Sequence, residues 1–530
     1  MKKYQKKNRR HFVGALASVF ASTVFAVSLQ FFKGDVLDHA VAGEIRDTLV
    51  YAGLLVLFIL GEVLCYYGYK WFSARFVAGC TGALKHDIFE SILHRSYAAY
   101  KVHPQGAYLS KYVGEADAIK ERWFQLLPMF WEILFKILFV SAALFILDWR
   151  VALITIGLLT TPLYVPKLIE KRMQHAQSAY LRALEENLAK VSDWLSGFEI
   201  IKNFSVEGKI MDRFRAVNDG AMEKLLRDTQ LGAAAQLITT LISYLSYFVV
   251  LLCAARLVLA GEFSPGDFFV AIGMIDQLSY PLISLAGITR QLVAIRPACA
   301  AMEEFLRLPG EKREAGTWNG VWSEIRFSDV SFGYDPKRLI LDGFDLTIRK
   351  GKRYLLTGPS GCGKTTAVNL LLRYYDVSGG SITIDAVPIR QAGDPYDLMT
   401  VVRQEAVLFH DTLRNNLTMY REIPQERLIT VLKSVGLDRF ATPQALDRPV
   451  TEGGANFSGG EKKRICLARA LLRDTDVLIL DEPLANLDAA AAERIEDLLL
   501  SIQNKTILVV SHQFTASKLK HFDRVVDFTA

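Results

Sequence analysis

The sequence predicts a multidomain protein, with an all-α membrane domain of six spanning helices followed by a soluble α/β domain. Hydrophobic residues make up 51% of the 530 residues and mean hydropathy is +0.20, but the long apolar runs all lie before about residue 300. Beyond it, strand-like and helix-like patterns alternate, and a glycine-rich turn joins a short strand to a helix. We therefore place the membrane domain at residues 1–305, a linker at 306–323 and the α/β domain at 324–530.

Six apolar stretches approach or exceed the length of about 20 residues that a spanning helix needs. The first is interpreted as a retained span, because it is longer than a signal-peptide core and shows no clear small-residue cleavage site. The six predicted spans are residues 12–32, 49–72, 126–147, 149–169, 231–260 and 263–298.

Lysine and arginine are distributed unevenly among the segments between these spans. Six basic residues lie within the first ten positions, and more lie in segments 73–125 and 170–230, whereas the predicted loop from Lys33 to Thr48 is mainly acidic. Because basic residues mark the cytoplasmic side, we expect both termini to be cytoplasmic in a bacterial inner membrane. The net charge of +6 is modest, so we expect no nucleic-acid partner.

The segments 73–125 and 170–230 have helical patterns but are too polar to lie in lipid. Each is long enough for a helical hairpin that projects roughly 35 to 40 Å into the cytoplasm. The pattern predicts breaks at Pro104 and Gly106 in the first hairpin, and at Ser196 and Gly197 in the second. Such tips are either solvated turns or elements that transmit force to another domain.

The glycine-rich turn matches a phosphate-binding loop. The pattern G-x-x-x-x-G-K-[ST] is met by Gly358, Gly363, Lys364 and Thr365. Together with Gly361, the glycines let successive N–H groups reach phosphate oxygens, and the following helix adds its partial positive charge. We expect Lys364 to reach the β- and γ-phosphates and the Thr365 hydroxyl to help hold Mg²⁺.

Further along the chain, two apolar stretches that are typical of buried strands end in polar residues. VLILDE ends in Asp481 and Glu482, and TILVVSH ends in His512. A carboxylate is costly inside such a strand and is expected at its end, where Asp481 suits Mg²⁺ and Glu482 suits the attacking water. His512 is assigned to the γ-phosphate, and Gln404 completes the polar set.

Six motifs occur in a fixed order: Tyr334, GPSGCGKTT, VVRQEAVLF, NFSGGEKKRICLARALL, VLILDEPLANLD and VVSH. Together they resemble the nucleotide-binding domain of ATP-binding-cassette (ABC) transporters, an α/β phosphate-loop fold with a helical subdomain. With six preceding spans and two cytoplasmic hairpins, the chain resembles an exporter-type half-transporter over nearly its whole length. Two departures are mild: Glu461 replaces the commoner glutamine of the signature, and ANLD replaces SALD.

The resemblance implies a role for each matching position. Tyr334 would stack on adenine, and Gln404 would sense both Mg²⁺ and the membrane domain. Ser458, Gly459 and Gly460 would close over the ATP of a second subunit. The implied sets are: catalytic, Glu482, His512 and Gln404; nucleotide-binding, Tyr334, Gly358, Ser360, Gly361, Cys362, Gly363, Lys364, Thr365, Thr366, Ser458, Gly459, Gly460 and Asp488; metal-binding, Thr365, Gln404 and Asp481.

The implied function is ATP-driven transport by alternating access, in which two such chains pair in the lipid bilayer and bind two ATP molecules. Export of a small molecule, lipid-like compound or peptide is favoured. Import of a siderophore-like compound by the same fold stays open, as does a membrane-tethered ATPase that does not transport, although one span would suffice for that. Because Glu482 and His512 are both present, the chain suits a homodimer or the competent half of a heterodimer.

Four ionisable residues lie within predicted spans: Glu62, Glu132, Lys136 and Asp276. Charges at membrane depth cost about 2.5 to 3.5 kcal/mol each on insertion scales and often mark a pathway. Glu132 and Lys136 are four residues apart on one helix and can neutralise each other. We hypothesise that Glu62 or Asp276 lines a central cavity and contacts the cargo.

Overall fold

A computed structural model of the protein describes residues 1–161, 165–308, 310–311, 321–335, 337–485, 487–512, 514 and 516–528. The chain divides into two compact units. The first contains Met1–Leu93 and Pro104–Leu308, and the second contains His94–His103 and Pro309–Ala530. Most of the predicted linker, residues 306–323, lies outside the described residues.

Up to residue 308, the described chain is mainly helical. Two short π-helical turns, Lys111–Glu115 and Lys120–Phe124, interrupt the α-helical segment Gln105–Leu147. The α-helices are α1 (Lys2–Lys7), α2 (Arg9–Val41), α3 (Ile45–Leu93), α4 (Tyr97–Lys101), α5 (Gln105–Ser110), α6 (Ala116–Ile119), α7 (Leu126–Leu147), α8 (Trp149–Leu159), α9 (Val165–Ser196), α10 (Phe198–Asn203), α11 (Glu207–Leu259), α12 (Pro265–Ala294) and α13 (Arg296–Arg307).

Five helical segments of the described chain are long and apolar enough to cross a membrane. They correspond to five of the six predicted spans, to within two residues where a predicted bound lies outside a segment. Helix α7 has the predicted bounds of 126 and 147. The fourth prediction, residues 149–169, begins with the shorter apolar helix α8, and part of it lies outside the described residues. The five segments are Arg9–Val41, Ile45–Leu93, Gln105–Leu147, Glu207–Leu259 and Pro265–Arg307.

The acidic loop predicted between the first two spans, Lys33 to Thr48, is wrong in its bounds. Helix α2 continues to Val41 and α3 begins at Ile45. Asp38 stays helical because it has structural partners: its carboxylate accepts hydrogen bonds from the Ser264 hydroxyl and the Gly266 amide, both at 2.6 Å. It therefore satisfies a donor at the N-terminus of α12.

The two hairpin tips differ in how well the sequence locates them. The first turn begins earlier than predicted, because α3 ends at Leu93 and α4 follows with Ser96 as its side-chain cap. Pro104 then precedes α5, while Gly106 lies within that helix. In the second hairpin α9 ends at Ser196, and Gly197 separates it from α10, as predicted.

The predicted pairing of Glu132 and Lys136 is present on α7. The Lys136 ammonium donates to the Glu132 carboxylate at 2.9 Å, and Glu132 is buried. Of the other two charged residues, Glu62 on α3 is half-buried and Asp276 on α12 is exposed. The first pair therefore has a local structural explanation, whereas Asp276 presents its carboxylate on the surface of the single chain.

Two sheets form the framework of the second unit. An antiparallel sheet has the order β2-β1-β4-β5, and a parallel sheet has the order β6-β7-β8-β3-β9. The strands are β1 (Glu324–Phe332), β2 (Leu341–Arg349), β3 (Arg353–Thr357), β4 (Gly379–Ile384), β5 (Val387–Pro388), β6 (Met399–Val402), β7 (Val477–Asp481), β8 (Thr506–Val510) and β9 (Arg524–Asp527).

Helices complete the second unit around the parallel sheet. Strands β7 and β8 are buried at every position, as expected for parallel strands covered on both faces. Alternate side chains of β7 and β8 therefore enter two separate apolar cores. The helices are α4, α14 (Lys364–Leu371), α15 (Pro395–Leu398), α16 (Leu413–Thr418), α17 (Gln425–Ser434), α18 (Pro443–Leu446), α19 (Gly459–Arg473) and α20 (Ala489–Ser501).

Strand order determines which side chains meet. Strand β8 lies between β3 and β7, and all three run parallel. Consequently three features lie together at the carboxyl edge of this sheet: the glycine-rich loop after β3, the acids at the end of β7 and His512 after β8. This is the edge at which ligands bind in open α/β sheets.

Candidate functional site

Two glycines of the loop between β3 and α14 are required by its geometry. Gly358 has φ +133° and Gly363 has φ +107°, in the region that L-residues rarely adopt. A Cβ at Gly363 would lie 2.7 Å from Leu341 Cδ2, and one at Gly358 would lie 3.0 Å from Cys362 Sγ. A larger residue at either position would therefore be strained by its positive φ and would displace a neighbouring side chain.

Lys364 begins α14 and is folded over the loop. Its buried ammonium donates to the carbonyl oxygens of Gly358 and Pro359, both at 2.7 Å. A helix N-terminus with a lysine above a glycine-rich turn is a site for a phosphate group. Around it, Ser360, Gly361 and Thr365 are exposed, Cys362 is half-buried and Thr366 is buried.

Tyr334 is half-exposed at 50% and lies beside this loop. Its hydroxyl is 3.5 Å from the Thr366 hydroxyl and accepts a hydrogen bond from Asn369 at 3.2 Å. Its ring packs edge-on against Tyr375, with 5.1 Å between the centroids. The exposed part of the ring is therefore held near the phosphate loop, where it can stack on a base.

Asp481 ends β7 as a buried residue that faces the phosphate loop. Arg403 Nη1 lies 3.6 Å from Asp481 Oδ2, and the Thr365 hydroxyl lies close enough to the carboxylate to lower its pKa. Burial raises the pKa of Asp481, and the two cations Arg403 and Lys364 act in the opposite direction. Thr365 and Asp481 thus offer a hydroxyl and a carboxylate oxygen on the same side of the site.

Glu482 turns away from the strand in a left-handed conformation with φ +50°, which is uncommon for a residue with a side chain. Its amide donates to the Val510 carbonyl at 2.9 Å, and its Oε1 lies 3.5 Å from His512 Nε2. Burial raises the pKa of Glu482, and His512 opposes that shift. The structure therefore brings together Lys364, Thr365, Asp481, Glu482 and His512.

Gln404 is exposed, and its neighbour Arg403 makes the contacts to the site. Besides approaching Asp481, Arg403 donates through Nη2 to the Asn369 side-chain oxygen at 2.7 Å. The sequence-based reasoning missed this arginine, because the motif VVRQ identifies the glutamine and nothing in the pattern shows which side chain turns inward.

The signature residues lie at the N-terminus of α19, where Ser458 and Gly459 are exposed. Ser458 and Glu461 form a capping box: the Glu461 amide donates to the Ser458 hydroxyl oxygen at 3.3 Å, and the Ser458 amide donates to the Glu461 carboxylate at 2.9 Å. Glu461 also pairs with Arg439. The Ser458 hydroxyl keeps its own proton available to donate outward.

Lys463, one turn into α19, connects the signature helix to the acidic turn. Its buried ammonium donates to the carbonyl oxygens of Glu482 at 3.2 Å and Ala485 at 2.6 Å, and burial lowers its pKa. Asp488, after that turn, caps α20 by accepting from the Ala491 amide at 2.8 Å. The sequence offers no signal for Lys463 beyond its place in a basic run.

Comparison with known protein families identifies the family to which the chain belongs. The family described as "ABC transporter transmembrane region" matches residues 12–282, and the one described as "ABC transporter" matches residues 341–485. The chain belongs to the ABC transporter family. The predicted resemblance and fold class are therefore confirmed.

Individual relatives are similar over nearly their whole lengths. An ATP-dependent lipid A-core flippase of Pseudoalteromonas translucida is 27% identical over 526 residues, which is 97% of this chain and 90% of the relative. A putative multidrug export ATP-binding/permease protein of Bacillus subtilis is 25% identical, covering 94% and 88% of the two chains. A solved bacterial Atm1-family ABC exporter with ATP bound shares the fold, with TM-score 0.80 and 22% identity over 98% of this chain and 93% of that one.

This ABC transporter is a multi-pass membrane protein that binds nucleotide and couples ATP hydrolysis to export by alternating access. The alternative of a tethered ATPase without transport is set aside, because the membrane half itself matches the transporter family. ABC exporters of this architecture work as dimers in the lipid bilayer.

Proposed function

We propose that this ABC transporter exports a lipid-like, amphipathic compound across a bacterial cytoplasmic membrane as a homodimer, with both termini in the cytoplasm. The similarity to a lipid A-core flippase over 97% of the chain supports this cargo class. The second relative is named for multidrug export, so the proposal stays with the class of compound. The basic N-terminus and basic hairpins support the orientation.

The observation that carries the proposal is the carboxyl edge of the parallel sheet. There Glu482 lies 3.5 Å from His512, while Lys364 and the Thr365–Asp481 pair lie on the same edge. We assign Lys364 to the phosphates and Glu482 to the attacking water, with His512 beside the departing γ-phosphate. The remaining loop residues Ser360, Gly361, Cys362 and Thr366 belong to the phosphate cradle, and Tyr334 to adenine.

The residues also fit Mg²⁺. Thr365 and Asp481 offer a hydroxyl and a carboxylate oxygen that lie close enough for the hydroxyl to lower the carboxyl pKa, and Mg²⁺ prefers oxygen ligands. Bound Mg²⁺ would neutralise charge on the transferred phosphoryl group. Gln404 remains a proposed contributor, since its exposed side chain lies next to Arg403 in sequence.

The placement of the signature supports the proposed homodimer. Ser458 and Gly459 are exposed and Gly460 is half-buried at a helix N-terminus, which suits the phosphates of nucleotide on a second copy. Asp488 is exposed as well and is proposed to cross between the two sites. Because this chain also carries Glu482 and His512, two identical copies would form two complete sites.

The test of cargo and direction uses inside-out vesicles that contain the purified, reconstituted chain. With ATP outside, an exporter accumulates a fluorescent short-chain lipid in the inner leaflet, where a membrane-impermeant quencher no longer reaches it. We expect this protection to depend on ATP and to vanish in Glu482→Gln. ATP-driven loss of preloaded compound would instead favour the siderophore-type importer.

A further inference from the structure

We propose that Arg403 positions the Asp481 carboxylate and couples it to the first cytoplasmic tip, through the stacked rings of Tyr374 and Tyr97. The inference rests on the nucleotide site proposed above and assigns a role to three residues outside it. All contacts in this path lie within the second unit, since that unit contains residues 94–103.

The first step joins Arg403 to the metal-binding side of the site. A buried carboxylate requires a compensating cation or hydrogen bonds, and Arg403 Nη1 lies 3.6 Å from Asp481 Oδ2. The hydrogen bond from Nη2 to Asn369 Oδ1 at 2.7 Å fixes the plane of the guanidinium. Asn369 in turn donates to the Tyr334 hydroxyl, so Arg403 also contacts the residue that holds the proposed adenine-binding ring.

The second step leads from Arg403 to the tip. The Arg403 guanidinium carbon lies 5.1 Å from the Tyr374 ring centroid, a cation–π distance. The Tyr97 ring stacks on the Tyr374 ring, with 3.9 Å between the ring centroids and 14° between the ring planes. Tyr97 begins α4, the short helix at the first tip, and its ring also meets Tyr375 edge-on at 6.1 Å.

The third step gives the path two states. A divalent cation that reaches Asp481 repels the guanidinium, because both compete for one carboxylate. Arg403 and Tyr374 line a cavity of about 400 Å³, so the guanidinium has space to leave Asp481. Its departure changes the cation–π contact to Tyr374 and thereby the packing of Tyr97. Ligand binding at the sheet edge and the position of α4 are then linked, and the linkage is reciprocal.

The experiment uses the full-length protein in detergent with a non-hydrolysable ATP analogue, with Mg²⁺ or with a chelator. Amide hydrogen exchange of residues 94–103 reports the tip, and equilibrium binding of the analogue against Mg²⁺ concentration reports the site. In wild type we expect Mg²⁺ with the analogue to change exchange in this segment at least threefold. In Arg403→Gln that response disappears, and the Mg²⁺ concentration for half-maximal binding falls at least threefold because the competing cation is gone.

Three further variants separate a path from a general structural effect. Tyr374→Leu and Tyr97→Leu remove the tip response but leave the Mg²⁺ dependence unchanged. Arg403→Lys keeps the charge and hence the Mg²⁺ dependence, but loses the fork that reaches Asn369 and so weakens the tip response. Arg421→Gln, which removes another arginine of the same cavity, behaves as wild type.

The inference is overturned if Arg403→Gln leaves both readouts unchanged, or if the tip responds normally in Tyr374→Leu and Tyr97→Leu. Failure of the proposed metal-binding site looks different, because binding of the analogue to the wild-type protein would then not depend on Mg²⁺ at all. Arg421→Gln giving the same defect as Arg403→Gln would also overturn the inference, since the effect would belong to the cavity rather than to the path.

Discussion

Lys364 is held against the loop that it serves, since its ammonium bonds to the Gly358 and Pro359 carbonyls. Those two oxygens are uncharged, and phosphate oxygens would attract the ammonium more strongly. The residue is therefore placed to exchange weak partners for strong ones when nucleotide binds.

Removing this cation should weaken nucleotide binding itself. We expect Lys364→Ala to lower ATP affinity at least tenfold, which corresponds to about 1.4 kcal/mol of lost binding free energy. Calorimetric titration with ATP measures this, with Lys433→Ala, an exposed lysine at the end of α17, as the control. An undiminished affinity in Lys364→Ala would remove Lys364 from the phosphate site.

At the scale of the element, helix α19 depends on its capping box. Glu461 stands where the resemblance leads one to expect glutamine, and it accepts from the Ser458 amide while pairing with Arg439. A glutamine retains an oxygen acceptor for the amide, whereas alanine retains nothing.

We therefore expect Glu461→Ala to lower the free energy of unfolding by about 1 kcal/mol, the typical cost of a lost cap. Glu461→Gln should cost clearly less. The ion pair that it removes involves Arg439, whose side chain is exposed to water, and such pairs contribute little to the free energy of unfolding. Denaturant unfolding of the two variants compares them. If glutamine destabilised the protein as much as alanine, the ion pair rather than the cap would fix this helix.

The second hairpin tip is the other element with a functional proposal. Phe198 is 56% exposed just after Gly197 and Leu188 is 60% exposed on the shaft of α9, so the two offer matched apolar surface. We expect Phe198→Asp to lower the stimulation of ATPase by cargo while ATP binding persists. Leu188→Asp serves as the control. Equal stimulation in both variants and wild type would make the tip a solvated turn.

The sequence predicts the end of an element correctly where a local pattern determines it, and fails where contacts distant in sequence determine it. Apolar length alone located α7, and glycine located the second tip. The end of α2 was missed because Asp38 is satisfied by Ser264 and Gly266, more than 200 residues away, which no local pattern reveals. Arg403 was missed for a related reason: sequence order gives the strand end but not the direction of its side chains.

At the scale of the whole molecule, the charged residues of the spanning helices are the candidates for contact with the cargo. Glu132 and Lys136 pair with each other at 2.9 Å, so they neutralise one another locally. Asp276 is exposed on α12 and Glu62 is half-buried on α3, and an exposed carboxylate in a spanning helix calls for a polar neighbour in the assembled transporter.

We expect Asp276→Ala to change the concentration of cargo that gives half-maximal ATPase stimulation at least threefold, and Glu62→Ala to change it less. Asp219→Ala, at an exposed site on α11 outside the predicted span of residues 231–260, is the control. Stimulation curves in lipid nanodiscs supply the measurement. Curves that coincide for all four proteins would take both carboxylates out of the transport pathway.

The central claim is that the sheet edge around Glu482 performs the ATP hydrolysis that drives this transporter. In its proposed role Glu482 acts on water rather than on the bound nucleotide, so we expect its replacement to remove turnover and to leave nucleotide binding intact. The direct measurement is phosphate release by purified wild-type and Glu482→Gln protein, alongside their ATP affinities. We predict a loss of at least a hundredfold in rate with affinity changed less than threefold. Equal rates of phosphate release in the two proteins would contradict the account.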